Sequence, residues 1–226
     1  FYLDIEPSPS LLAMDNPYDT LLREQQNVSF LWDYAYYNGH YYVYFGITPV
    51  LLFYLPYYLL TGQAFHVQGI FYVCAILLTL GCLLLLWKLV TRYFKKTPFL
   101  VYLLLAAAFI NGFGAFYLFA HPKFYSEPNL LALTLAVWGL YFWLQADISA
   151  GLRRNLFFFA GSLCIALIAG CRPQMLLLCF LSIPLFAGFF IQKKNLPSFA
   201  IFMLPFIAFG IFIMYYNYAR FGSIFD

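Results

Sequence analysis

Residues 32–62 read "WDYAYYNGHYYVYFGITPVLLFYLPYYLLTG". A crowd of tyrosines runs into an apolar stretch, 47–61, that carries no charged residue. If 47–61 crosses a membrane, every later helix points one way; if it lies along the surface, they all point the other. The run is short for a span, which needs about 20 apolar residues. It also contains Pro49 and Pro56.

The rest of the chain decides between the two. It has 226 residues, of which 64% are hydrophobic, 23% aromatic and only 9% charged, with a mean hydropathy of +0.80. Soluble domains average about 25% charged residues, so this composition is that of an integral membrane protein. Six stretches are long and apolar enough to span: 69–90, 97–119, 129–146, 155–171, 174–192 and 197–217. Lys88, Arg92, Lys95 and Lys96 follow the first; Arg153 and Arg154 follow the third; Lys193 and Lys194 follow the fifth. These alternate loops share one side and hold eight of the twelve Lys and Arg residues with one acid, Asp147. The positive-inside rule makes that side cytoplasmic.

The opposite side collects eight of the nine acids, with Arg23, Lys123, Arg172 and Arg220. The span at 69–90 must therefore start outside. A crossing at 47–61 would invert all the basic loops, so 47–61 is expected to rest at the outer interface, with Tyr54, Tyr57 and Tyr58 at headgroup level. The expected fold is an all-α polytopic membrane protein. Residues 1–45 form an extracytoplasmic cap, 46–62 an interfacial helix, and 63–226 a bundle of six transmembrane helices. Within the cap, Asn38-Gly39 between two tyrosine-rich runs signals a β-hairpin.

The five cysteines (Cys74, Cys82, Cys164, Cys171, Cys179) lie in or beside apolar runs without metal spacing and are read as packing residues. No phosphate-binding glycine loop, HExxH or GxSxG is present, and a net charge of +3 does not call for nucleic acid. "NVS" at 27–29 is a sequon that matters only in a eukaryotic lumen. The chain opens on "FYLDIEPSPS" and stops at "RFGSIFD", and it is expected to be a piece of a longer protein with a further span upstream.

Three groups on the acidic side can carry chemistry. The cap supplies Asp4, Glu6, Asp15, Asp19, Asp33 and His40; carboxylates serve as acids and bases, although Asp15 and Asp19 flank a turn that Asp commonly caps. The loop "HPKFYSEPN", 121–129, places His121, Lys123, Tyr125 and Glu127 together, with Glu127 beside Pro128 at a helix start. Arg172 and Arg220 are exceptions on an acid-rich side. Arg grips phosphate bidentately or snorkels to headgroups.

The order of these features resembles the GT-C superfamily of polytopic glycosyltransferases, which includes protein O-mannosyltransferases and the aminoarabinose transferases of lipid A. "YYVYFGITPVLLFYLPYYLLTG" is similar to that family's juxtamembrane helix. "FYSEPNLLALTLAVWGLYFWLQA" is similar to the loop and helix bearing its second outer acid, matched by Glu127. "GSLCIALIAGCRPQMLLL" resembles its following hairpin, and "YNYARFGSIFD" the end of the bundle.

The resemblance implies sugar transfer from a polyprenyl-phosphate donor to an acceptor hydroxyl on the extracytoplasmic face. Glu127, with Asp33 and Asp19, is then catalytic. Arg172, Arg220, Lys123, His121, Tyr125 and His40 bind substrate. No nucleotide is needed, use of a divalent metal is undecided, and the partners are the lipid-linked donor and membrane lipids. The low charge fits a bacterial plasma membrane. Two departures stand out: the family's first acid would lie before Phe1, and its Glu-Lys pair before the juxtamembrane prolines is here "FGIT". The rival readings are a transporter or flippase, disfavoured by span interiors almost free of ionisable residues, and a non-catalytic assembly protein of cell-envelope glycan synthesis.

Overall fold

The computed structural model describes residues 2–32, 34–43, 46–112, 117, 120, 125–192 and 195–224. Two compact units are present: Phe1–Tyr44 with Ile211–Asp226, and Phe45–Gly210.

Polar turns and aromatic rings build the first unit. Helix α1 (Pro9–Leu12) is capped by Ser8 and α2 (Thr20–Gln25) by Asp19. Strands β1 (Tyr34–Tyr37) and β2 (His40–Val43) pair antiparallel, with Tyr37 opposite His40. Their turn is Asn38-Gly39, with φ of 46° and 78°. Positive φ at both central residues is the type I′ geometry that matches strand twist. Tyr41 is buried against the ring edges of Phe30 and Tyr36, and its phenol accepts from the Leu31 amide.

The second unit begins with the stretch that decided the reading. Thr48–Thr61 is helical, with a π-helical turn at Val50–Tyr54 leading into α3 (Leu55–Thr61). Pro56 cannot donate to the carbonyl one turn back and crowds it, and a widened turn upstream relieves both problems. Gly62, at φ 69°, ends the helix. Fourteen residues at 1.5 Å each give about 21 Å, short of the roughly 30 Å hydrocarbon core.

Contact with the bundle pins the start of this helix. The Thr48 amide donates to the Gly170 carbonyl at 2.9 Å, and Thr48 Oγ1 donates to the Leu167 carbonyl at 2.7 Å. A Cβ on Gly46 would lie 2.0 Å from the Gly170 oxygen, so only glycine lets the two backbones meet.

Among the described residues five segments are long and apolar enough to cross a membrane. They are α4 (Val67–Tyr93), α6 (Ser126–Ile148), α7 (Gly151–Ile168), Pro173–Ile191 and α9 (Leu196–Phe221). The chain is an α-helical integral membrane protein. The expected span at 97–119 is described as helix over α5 (Phe99–Gly112), 14 residues, and residues 113–116 fall outside the description. Five of the six expected spans thus reach full length among the described residues, and the sixth is described over 14 residues. The fifth expected helix also differs in form. It opens as a 3₁₀ helix (Pro173–Leu181) before continuing as α8 (Ser182–Gln192).

Helix directions follow from the contacts. Trp138 Nε1 donates to the Leu77 carbonyl at 2.9 Å, and further along both helices Arg92 pairs with Asp147. Residue numbers rise together, so α4 and α6 are parallel. The chain between Tyr93 and Ser126 therefore returns from one end of the bundle to the other.

Helices α6 and α7 are antiparallel. A Cβ on Gly161 would sit 2.3 Å from Trp143, and one on Gly139 would sit 2.6 Å from Ile165. Small residues at such crossings let helix backbones approach closely where hydrophobic drive is weak. Trp143 and Phe158 are fully enclosed by this seam and by Phe186 and Phe202.

Candidate functional site

One end of α6 assembles polar side chains from three segments. The helix starts Ser126-Glu127-Pro128, and proline costs nothing in a first turn, where the amide has no intrahelical partner. Glu127 stands near the positive end of the helix dipole, which favours a carboxylate. It is only 3% exposed. Its Oε2 accepts a 2.9 Å hydrogen bond from the phenol of Tyr54, on the π turn of the Thr48–Thr61 helix. Tyr54 was expected among headgroups; it instead turns inward. Burial, then the bond to Glu127 and the carboxylate's charge, push the Tyr54 phenol above its ordinary pKa.

Arg172 follows the end of α7 and reaches the same end of α6. Its Nε donates to Asn129 Oδ1 at 2.6 Å, and its Nη2 donates to the Tyr125 carbonyl at 3.3 Å. Asn129 Nδ2 donates to that carbonyl too, at 3.1 Å. The triangle orients a permanent cation and an amide beside a helix start. Thr48 and Cys171 are buried at the turn beneath Arg172, and burial pushes the Cys171 thiol up to about 12. Sequence reasoning chose Glu127, Arg172 and Tyr125, and the structure brings them to one end of one helix. It missed Tyr54 and Asn129. The proximity of Asn129 to Glu127 was a usable signal, but Tyr54 lies 73 positions away.

The other expected site residues are placed differently. Asp33, His121 and Lys123 lie outside the described residues. Asp19, His40 and Arg220 belong to the other compact unit. Asp19 Oδ1 accepts from the amides of Leu21 and Leu22, which is an N-cap. His40 stacks on Tyr2 at 4.2 Å. Arg220 is not extended toward headgroups. It is 8% exposed, donates to the Val43 carbonyl at 2.7 Å and lies over the rings of Tyr42, Tyr216 and Phe221. That cage ties the end of α9 to the hairpin within their unit.

Among the described residues no group of three or more His, Cys, Asp or Glu side chains converges as a metal site. Fold and site together define an integral membrane protein with a buried carboxylate at one end of its bundle. Compared with protein-family models, curated proteins and solved structures, the chain has no match.

Proposed function

We propose that this protein is a GT-C-type glycosyltransferase with six membrane crossings that moves a sugar from a polyprenyl-phosphate donor to an acceptor hydroxyl on the extracytoplasmic face. One observation carries the reading: a helix too short to span holds a carboxylate, Glu127, at the bundle end away from the Arg92–Asp147 pair. Arg172 supports it from that same end. In the reaction a carboxylate takes the acceptor's proton. The hydroxyl oxygen then bonds to the anomeric carbon, and the bond to the lipid phosphate breaks with inversion. Arg172 compensates the charge on the leaving phosphate. Tyr54 positions Glu127 through its hydrogen bond. The family's upstream acid, the organism class and the outward site belong to this reading.

The depth of Glu127, 3% exposed, favours a second reading in which the Tyr54–Glu127 bond only locks the surface helix onto the bundle of a non-catalytic assembly protein. Assay of the whole protein with a polyprenyl-phosphate sugar separates the two. Transfer activity with Glu127→Gln slowed at least about a hundredfold and melting little changed is the outcome expected of a proton-transfer residue. Unchanged turnover removes Glu127 from the chemistry, and lowered melting alone assigns it to the lock. Arg172→Ala is expected to raise the apparent KM for the donor more than it lowers kcat.

A further inference from the structure

At the end of the bundle away from Glu127, Arg92 donates to Asp147 in an ion pair that joins the C-terminal ends of α4 and α6. Arg154, in the first turn of α7, donates from Nε to the Ser149 carbonyl at 2.7 Å, and its guanidinium lies 4.6 Å from the Phe189 ring centroid. Between these groups is a half-open cavity of about 260 Å³. Asp147 and Arg154 form its polar side, and Phe158, Leu185, Phe186 and Phe189 its apolar walls.

We propose that this cavity binds one anionic phospholipid, its phosphate against Arg154 and the upper part of one acyl chain against the half-buried Leu185 and Phe189. Charge selects the headgroup. Asp147 is already matched by Arg92, so Arg154 and the adjacent exposed Arg153 leave the mouth positive. A choline or ethanolamine group finds no second carboxylate, because Asp147 is the one acid in these basic segments. Pinned at Nε and backed by a ring, Arg154 presents its planar fork at little entropic cost, and this suits phosphate. The volume sits just under the roughly 300–1,000 Å³ of small-molecule pockets, enough for a phosphate and part of a chain.

The test uses the full chain, delipidated in neutral detergent, with its melting midpoint followed during titration. Dioleoyl-phosphatidylglycerol is expected to raise the midpoint saturably, while dioleoyl-phosphatidylcholine and glycerol 3-phosphate do not. Arg154→Gln removes charge-assisted bonds to the phosphate, and Leu185→Trp fills the apolar wall. Each is expected to weaken the apparent affinity about tenfold. Lys95→Gln, in an exposed loop of the same basic side, is expected to leave it unchanged. Equal responses to the two lipids overturn the proposal. So does a response to glycerol 3-phosphate alone, which indicates a free-anion site, or an equal loss with Lys95→Gln, which indicates diffuse surface charge. If neither cavity variant folds, the wild-type comparison of the three ligands decides.

Discussion

Tyr54 stands between Phe53 and Leu55 in an apolar run, and its neighbours in sequence give no sign that its phenol donates to a carboxylate. Tyr54→Phe deletes one oxygen and leaves the ring in place. Glu127 then loses its donor in a buried setting, a cost of about 1–3 kcal/mol. The expected result is a clear fall in melting temperature at pH 7.5. The pH dependence follows from the phenol's raised pKa, caused first by burial and then by Glu127. A group harder to deprotonate when folded contributes its full stability below its ordinary pKa of 10.0 and loses it as the pH climbs through the higher folded value. The gap between wild type and Tyr54→Phe should stay constant from pH 7 to 10 and narrow above that; melting curves at stepped pH check it. Asp19 shows the opposite case of legibility. Its neighbourhood in "DNPYDT" already reads as a cap, and a cap is what it forms, because both partner amides lie within three residues. Local partners are visible in a string of letters, and distant ones such as Tyr54 and Glu127 are not.

Among elements, the short helix at 48–61 was legible from the length of its apolar run, which does not depend on side-chain contacts. Asn38-Gly39 was equally plain, since few residue pairs accept two positive φ angles. The 3₁₀ opening at Pro173–Leu181 was not legible, because its residues suit an α-helix as well. The glycine seam between α6 and α7 was likewise hidden, because Gly139 and Gly161 gain meaning only from Ile165 and Trp143 opposite them. Gly161→Ala should lower the melting temperature markedly. Its methyl meets the rigid indole of Trp143 at 2.3 Å, and overpacking of this kind costs about 1–3 kcal/mol. The control Gly112→Ala, where no atom of the described residues lies within 4 Å of an added Cβ, should change little.

For the molecule as a whole, the parallel run of α4 and α6 supports the alternation inferred from basic loops, because parallel neighbours require an intervening return. Sidedness can be read with engineered cysteines in a background lacking the five native ones. Tyr125→Cys, at the exposed Glu127 end, should react with an impermeant maleimide added outside intact cells. Ala150→Cys, exposed at the basic end, should react only after permeabilisation. The reverse pattern would place Glu127 in the cytoplasm and remove the outer-face reaction with it.

The tight opening of the fifth span alters its reach. A 3₁₀ helix rises about 2.0 Å per residue against about 1.5 Å for an α-helix. Nine of the nineteen residues of Pro173–Ile191 take the steeper rise, so the segment extends about 33 Å where a uniform α-helix would stop near 28 Å. A stretch otherwise slightly short of a hydrocarbon slab about 30 Å thick thereby gains the length to match it, with Arg172 just ahead of its first residue.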